Sequence, residues 1–183
     1  MGGSSHVTRS KPGERPAASS FPRAAPGSLV RAVRLAGQDA AFLAAMADVY
    51  RRADAETTRG RALCLGGGAC CKFDLTAHRL YLSTGELAFL CQSPPADPRR
   101  CRLGRCPYQV AARCSARQHR PLGCRLFFCD PRARDWSRPC HERYHREIQL
   151  LHERRRVPYL YAELTGSLAN FDFFWIDTAR LSH

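Results

Sequence analysis

A chain of 183 residues with 44% hydrophobic side chains is long enough for one domain with a real core, since about 150 residues bury roughly 70% of their unfolded surface. Its ten cysteines are therefore not needed merely to hold a miniature fold together, which argues against a disulfide scaffold. The formal charge is +13, yet of 29 basic residues only Lys11 and Lys72 are lysine, a bias that reads as GC-rich coding; no basic helix with interleaved aromatics is present, and nucleic acid is not the expected partner.

Residues 1–28 are rich in Ser, Pro, Gly and Arg and read as a disordered N-terminal tail, because they bury too little apolar surface to offset chain entropy. Their Arg/Ser-rich, acid-poor composition is shared with transit peptides, but the amphipathic pattern is missing. Residues 29–60 form an N-terminal helical segment. Within it, Phe42, Leu43, Met46, Val49, Tyr50 and Ala53 make one apolar face over 38–59, with Asp39 as N-cap.

Residues 61–140 are the expected cysteine-cluster metal-binding core. Residues 73–82 read as extended. Ser83-Thr84-Gly85-Glu86 is a capping box, so a short helix starts there. Pro94, Pro95 and Pro98 make 92–100 a loop, and 101–140 show little periodicity beyond loops and turns. Residues 141–183 supply a C-terminal helix and an aromatic docking segment. Tyr144, Ile148 and Leu151 predict a helix from about 140 to 155, stopped by Pro158. Phe171-Asp-Phe-Phe-Trp-Ile176 is too apolar to be left in water and is expected to dock on the body. No internal repeat is visible. The expected fold class is mainly α, with a small α+β arrangement as the alternative: a cysteine-rich, metal-stabilised single domain with long loops.

No stretch approaches the ~20 apolar residues that span a bilayer. The start of the chain lacks the apolar segment of a secretory leader, and His6 stands where N-myristoylation wants Ser or Thr. A cytoplasmic location without membrane association is expected. In a reducing cytosol, clustered cysteines favour metal binding or redox work.

Nine of the ten cysteines fall between Cys64 and Cys129, and the densest run is Cys64-Leu-Gly-Gly-Gly-Ala-Cys70-Cys71. Adjacent cysteines make a strained bridge with each other. Both can reach a metal centre if the backbone folds around it, and Gly66, Gly67 and Gly68 give that freedom. Cys91, Cys101, Cys106, Cys114, Cys124, Cys129 and Cys140 follow. There is no Cys-x2-Cys pair, so zinc fingers and ribbons are disfavoured. Iron–sulfur clusters tolerate more varied spacing. Arg105, Arg113 and Arg125 adjoin cysteines and favour the thiolate that binds metal. His141-Glu142-Arg143-Tyr144-His145 matches His-Glu-x-x-His in letters, but a third ligand is not evident. His78 and His119 read as surface or outer-sphere groups. A Gly-x-Ser-x-Gly elbow and a nucleotide phosphate loop are both missing.

Cys64-x5-Cys70-Cys71, Cys106-Pro107-Tyr108, Cys114 and His119-Arg120-Pro121-Leu-Gly-Cys124-Arg125-Leu-Phe-Phe-Cys129 resemble the YkgJ-type cysteine-cluster family, a zinc- or iron-chelating domain family, over about residues 61–131. Gly67 departs from the family pattern where a second cysteine is usual, and His119 stands near the place of a tyrosine. Either Cys91 or Cys101 substitutes for the missing thiol, or the site uses fewer thiols. The resemblance implies a metal centre held by Cys64, Cys70, Cys71, Cys106, Cys114, Cys124 and Cys129, with Cys91, Cys101, Cys140, His119, His141 and His145 left open. Zinc, iron and a [4Fe-4S] cluster are the expected cofactors. Related flagellin lysine methylases imply the alternative of an iron–sulfur enzyme with redox or methyl-transfer activity; a basic nucleic-acid-binding zinc protein is the third reading. Arg120 and Arg125 are expected to donate hydrogen bonds to sulfur or to backbone carbonyls around the centre.

Overall fold

A computed structural model describes residues 26–59, 67–76, 78–127, 133–169 and 171. The described chain is mainly helical, as expected. Helix α1 spans Pro26–Gln38, beginning before the expected boundary at residue 29, so residues 26–28 belong to a helix and not to the tail. Helix α2 follows at Ala40–Arg59. Asp39 lies between them, and its carboxylate accepts from the Phe42 N–H at 2.9 Å, the N-cap the sequence predicts. Phe42, Met46, Val49, Tyr50 and Ala53 are buried along one side of α2, so the spacing of apolar residues translates directly into a packed face.

Helix α3 is a single turn, Phe73–Thr76, and strand β1 is limited to Tyr81–Ser83. The expected extended run over 73–82 is thus corrected in its first half. The Asp74 N–H donates to the Gly104 carbonyl and the Leu75 N–H to Lys72, which fixes a helical turn where alternation suggested a strand. Helix α4, Thr84–Leu90, starts on the expected capping box: the Glu86 N–H donates to Ser83 Oγ, and the Ser83 N–H to the Glu86 carboxylate. All seven residues of α4 are buried, which makes it the central element of the core. Helix α1 packs on it, and α2 lies beside both.

The stretch expected as turns contains several short elements: a 3-10 turn Pro98–Leu103, a two-residue hairpin of β2 (Gln109–Val110) and β3 (Arg113–Cys114), a 3-10 turn Arg117–His119, and helix α5, Leu122–Leu126. Helix α6 runs Arg134–Arg155, longer at its start than predicted, with Pro139 inside it. A proline near the start of a helix removes one backbone bond and need not mark the boundary. Cys140, Tyr144, Ile148 and His152 recur every fourth residue on the buried face of α6. Strand β4 (Tyr161–Glu163) and helix α7 (Leu164–Ala169) follow.

Strand β1 pairs antiparallel with β4, Leu82 opposite Ala162. Each strand runs straight into a helix whose first turn is capped from the strand's last residue. Ser83 caps α4, and the Glu163 carboxylate accepts from the Thr165 N–H at 3.1 Å and from the Gly166 N–H. The flanking bonds mirror each other: the Thr84 N–H donates to Leu160 O at 2.9 Å, and the Leu164 N–H to Leu80 O at 2.8 Å. The two strand–helix units repeat each other's hydrogen-bond pattern, which the sequence marks only by Tyr81 and Tyr161 at the start of each strand. Of the aromatic segment at the end of the chain only Phe171 is described, and it is buried.

Candidate metal centre

Five of the expected ligands, Cys70, Cys71, Cys106, Cys114 and Cys124, line a single cavity. They come from four separate stretches. Cys70 and Cys71 stand on the 3-10 turn Ala69–Cys71, which opens at Gly68 with φ +65°, a left-handed conformation that glycine takes without strain. A Cβ on Gly68 would lie 2.6 Å from Gln109 Nε2 and 3.0 Å from the Ala112 backbone, so the glycine also allows close approach to the β2–β3 hairpin. Gln109 donates to Gly68 O at 3.0 Å, and the Cys106 N–H donates to Cys71 O at 2.9 Å. These bonds staple the Cys70–Cys71 turn to the stretch carrying Cys106 and Cys114. Cys124 comes from α5, whose N-terminus is held by Glu86: the buried carboxylate accepts from the Leu122 N–H at 3.0 Å.

The thiols are neighbours. Cys71 sits between Cys70 and Cys106, and its contact with Cys106, assisted by burial, pushes the Cys71 thiol up to about 12. Contact with Cys71 raises Cys70. Burial, then proximity to Cys71, Cys114 and Cys70, raises Cys124, while Arg120 pulls it the other way. Burial likewise raises Cys114 against the pull of Arg120 and Arg117. Thiols that resist ionisation because of burial and one another are a donor set whose thiolate form a cation stabilises.

Among the described residues, no three Cys, His, Asp or Glu side chains are already gathered at ligating positions. Cys64 and Cys129 lie outside the described residues. The donor chemistry suits a thiophilic ion such as zinc or iron, and the present spacing requires the side chains to draw together on it.

The remaining cysteines do not line the cavity. Cys91 and Cys101 are buried in the apolar core, and burial pushes the Cys91 thiol up to about 12, with Tyr108 beside it. Cys140 donates to the Glu56 carboxylate at 3.3 Å in a network with Arg143 and Tyr144; burial, reinforced by Glu56, pushes its thiol up to about 11. The histidines divide as well. His141 lines the cavity, and burial lowers its pKa. His145 stacks on it at 5.7 Å, but its Nε2 is engaged by the Tyr159 hydroxyl at 3.0 Å. The His-Glu-x-x-His letters therefore do not bring both imidazoles to one ion. His119 Nδ1 meets Ser93 Oγ at 2.7 Å, and His78 lies between Phe73 and Phe127 on the cavity wall.

Arg125 is buried on its side chain and holds the loop that carries Cys124. Its Nε donates to Arg120 O at 2.7 Å, its other nitrogens reach Gln118 O and Asp54, and its guanidinium lies 4.4 Å over the Tyr50 ring. Arg120 donates to Arg117 O at 3.2 Å. Both arginines thus serve backbone carbonyls, one of the two kinds of partner expected for them. Sequence reasoning singled out Arg113 beside Cys114 but missed the other arginines lining the cavity, Arg79, Arg117 and Arg138. Arg113 and Arg117 adjoin cysteine-bearing elements, but in an arginine-rich chain that adjacency was a weak signal.

Compared with protein-family models, curated proteins and solved structures, the chain finds no match in any of the three.

Proposed function

We propose that this chain is a thiolate metal-binding protein of the YkgJ type, holding zinc, iron or an iron–sulfur cluster in a reducing compartment. Cys70, Cys71, Cys106, Cys114 and Cys124 would supply the ligands, joined by Cys64 and Cys129 from the neighbouring segments. One observation carries this reading. Every described cysteine of the expected set lines the same cavity, and every described cysteine outside that set lies elsewhere. A bound ion would keep the thiolates ionised and clamp the Cys70–Cys71 turn, the hairpin and α5 together; an iron–sulfur cluster would add electron transfer. His141 is the one histidine of the α6 pair positioned on the cavity and is the candidate non-thiolate donor.

Anaerobic purification followed by elemental and sulfide analysis and a visible spectrum tests the reading. Iron with sulfide and a brown colour means a cluster; zinc in a colourless protein means a simple thiolate site. Cys71→Ser should lose metal and Cys140→Ser should retain it. Metal-free protein after anaerobic reconstitution, or equal metal content in the two variants, defeats the proposal.

A second reading, an enzyme built on the centre, is favoured by the size of the cavity, about 1250 Å³, far beyond the needs of an ion. Small-molecule sites span roughly 300–1,000 Å³.

A further inference from the structure

The cavity that holds the thiols has two other walls. One is apolar: Phe73, Leu80, Leu90, Leu126, Phe127 and Leu164. Leu80 and Leu164 accept and donate the backbone bond that closes one end of the β1–β4 ribbon, so this wall is anchored in the most regular part of the fold. The other wall is cationic. Arg79, Arg113, Arg117, Arg120 and Arg138 line it, against one carboxylate, Glu142. Glu142 is taken by Arg138 at 3.2 Å. Among the described residues, Arg79, Arg113, Arg117 and Arg120 have no carboxylate partner.

Four guanidiniums that no described carboxylate neutralises, lining one cavity together with apolar side chains, make a strong local field. A thiolate centre does not absorb it all. A dication held by four of these thiolates would leave two negative charges, two fewer than the four arginines. Arginine is also suited to carboxylate and phosphate, because its planar fork donates two parallel hydrogen bonds. A site for a simple inorganic anion would not need an apolar wall. A site for a neutral apolar molecule would not place unpaired arginines on its rim.

We infer that the cavity binds an organic anion with an apolar body, its carboxylate or phosphate taken by Arg113, Arg117 and Arg120 and its body laid against Phe73, Leu80 and Leu126. The inference stands on the arginines and the apolar wall, and does not require an ion on the thiols.

The test is calorimetric titration of the full chain, with metal content measured on the same preparation, against octanoate, octyl phosphate, 1-octanol and inorganic phosphate. Octanoate or octyl phosphate should bind saturably, at least about tenfold more tightly than octanol or inorganic phosphate, a contrast of one charge-assisted pair. The tighter of the two octyl anions identifies the head group. Arg113→Gln and Arg117→Gln, both at exposed positions and so expected to fold, should each weaken the octyl anion about fivefold to tenfold while leaving octanol binding unchanged. Octanol binding as tightly as the octyl anions, inorganic phosphate matching them, loss of saturable binding altogether, or indifference to both arginine changes overturns the inference. Metal-free protein that still prefers the octyl anions keeps this site and removes only the metal centre. Metal-loaded protein that shows no such preference removes only this site.

Discussion

Glu86 joins two parts of the structure, and its removal gives a prediction that can be worked through. Its side chain is 2% exposed, and its two carboxylate oxygens accept from two backbone donors, Ser83 N–H at 2.9 Å and Leu122 N–H at 3.0 Å. Ser83 and Leu122 are themselves fully buried, so water cannot replace the lost acceptor. Leaving a buried donor unsatisfied costs about 1–3 kcal/mol. Glu86→Ala strands two of them, so destabilisation of about 4 kcal/mol is expected, a large share of the ~5–15 kcal/mol that keeps a domain folded. With a urea slope of about 2 kcal/mol/M, the unfolding midpoint falls by about 2 M. Glu86→Gln keeps one oxygen and one satisfied donor, so it should lose about half as much. Because Leu122 begins α5, the Cys124 thiol should also react faster with an aromatic disulfide reagent in the alanine variant than in the parent. A midpoint drop below about 0.5 M for Glu86→Ala, or equal drops for Ala and Gln, refutes the reasoning.

Three further outcomes can be checked on the same material. His152 is buried and held neutral, Nε2 accepting from the Gly85 N–H at 3.2 Å and Nδ1–H donating to Val157 O at 3.2 Å; burial lowers its folded pKa below the ordinary 6.5. Its contribution is therefore fully present above pH ~6.5 and is lost as pH falls, so the urea midpoint should drop between pH 7 and 5 and His152→Gln should flatten that slope, with His119 and His141 supplying the remainder. Gly85→Ala places a Cβ 2.7 Å from Phe42 Cζ and 2.8 Å from His152 Nε2, and should cost about 1–3 kcal/mol in urea unfolding. Arg125→Lys cannot serve Arg120 O, Gln118 O and Asp54 together and should cost about 3 kcal/mol by thermal unfolding, with the helical circular dichroism of the residual folded state unchanged.

What could be read from the letters were features set by near neighbours. The capping box at Ser83 and Glu86, the Asp39 cap and the buried face of α2 all depend on residues within a few turns, and each is in place. Helix α6 begins before the expected residue 140, because the one backbone bond lost at Pro139 is tolerated when Tyr144, Ile148 and His152 bury the same face. The extended reading of 73–82 failed because a distant carbonyl, Gly104, secures a helical turn at Asp74. The sharing of one cavity by Cys70, Cys71, Cys106, Cys114 and Cys124 rests on contacts across the chain, such as Cys106 N–H to Cys71 O. Spacing named the cysteines. It could not show that four arginines without a described carboxylate partner line the same space, or that His141 and His145 part company, one on the cavity and one on Tyr159.

The seamless junctions of β1 with α4 and of β4 with α7 leave this stretch no slack. One residue inserted between Ser83 and Thr84 would turn the helix that follows by about 100°, swinging Leu87 and Leu90 off the faces they now fill and carrying Glu86 away from Leu122. An insertion at the Glu163–Leu164 junction would do the same to α7. The β2–β3 hairpin tip is no freer, because the Ala112 backbone closes on Gly68 and borders the cavity. Variation in chain length among descendants of this sequence should therefore spare both junctions, which should keep their count.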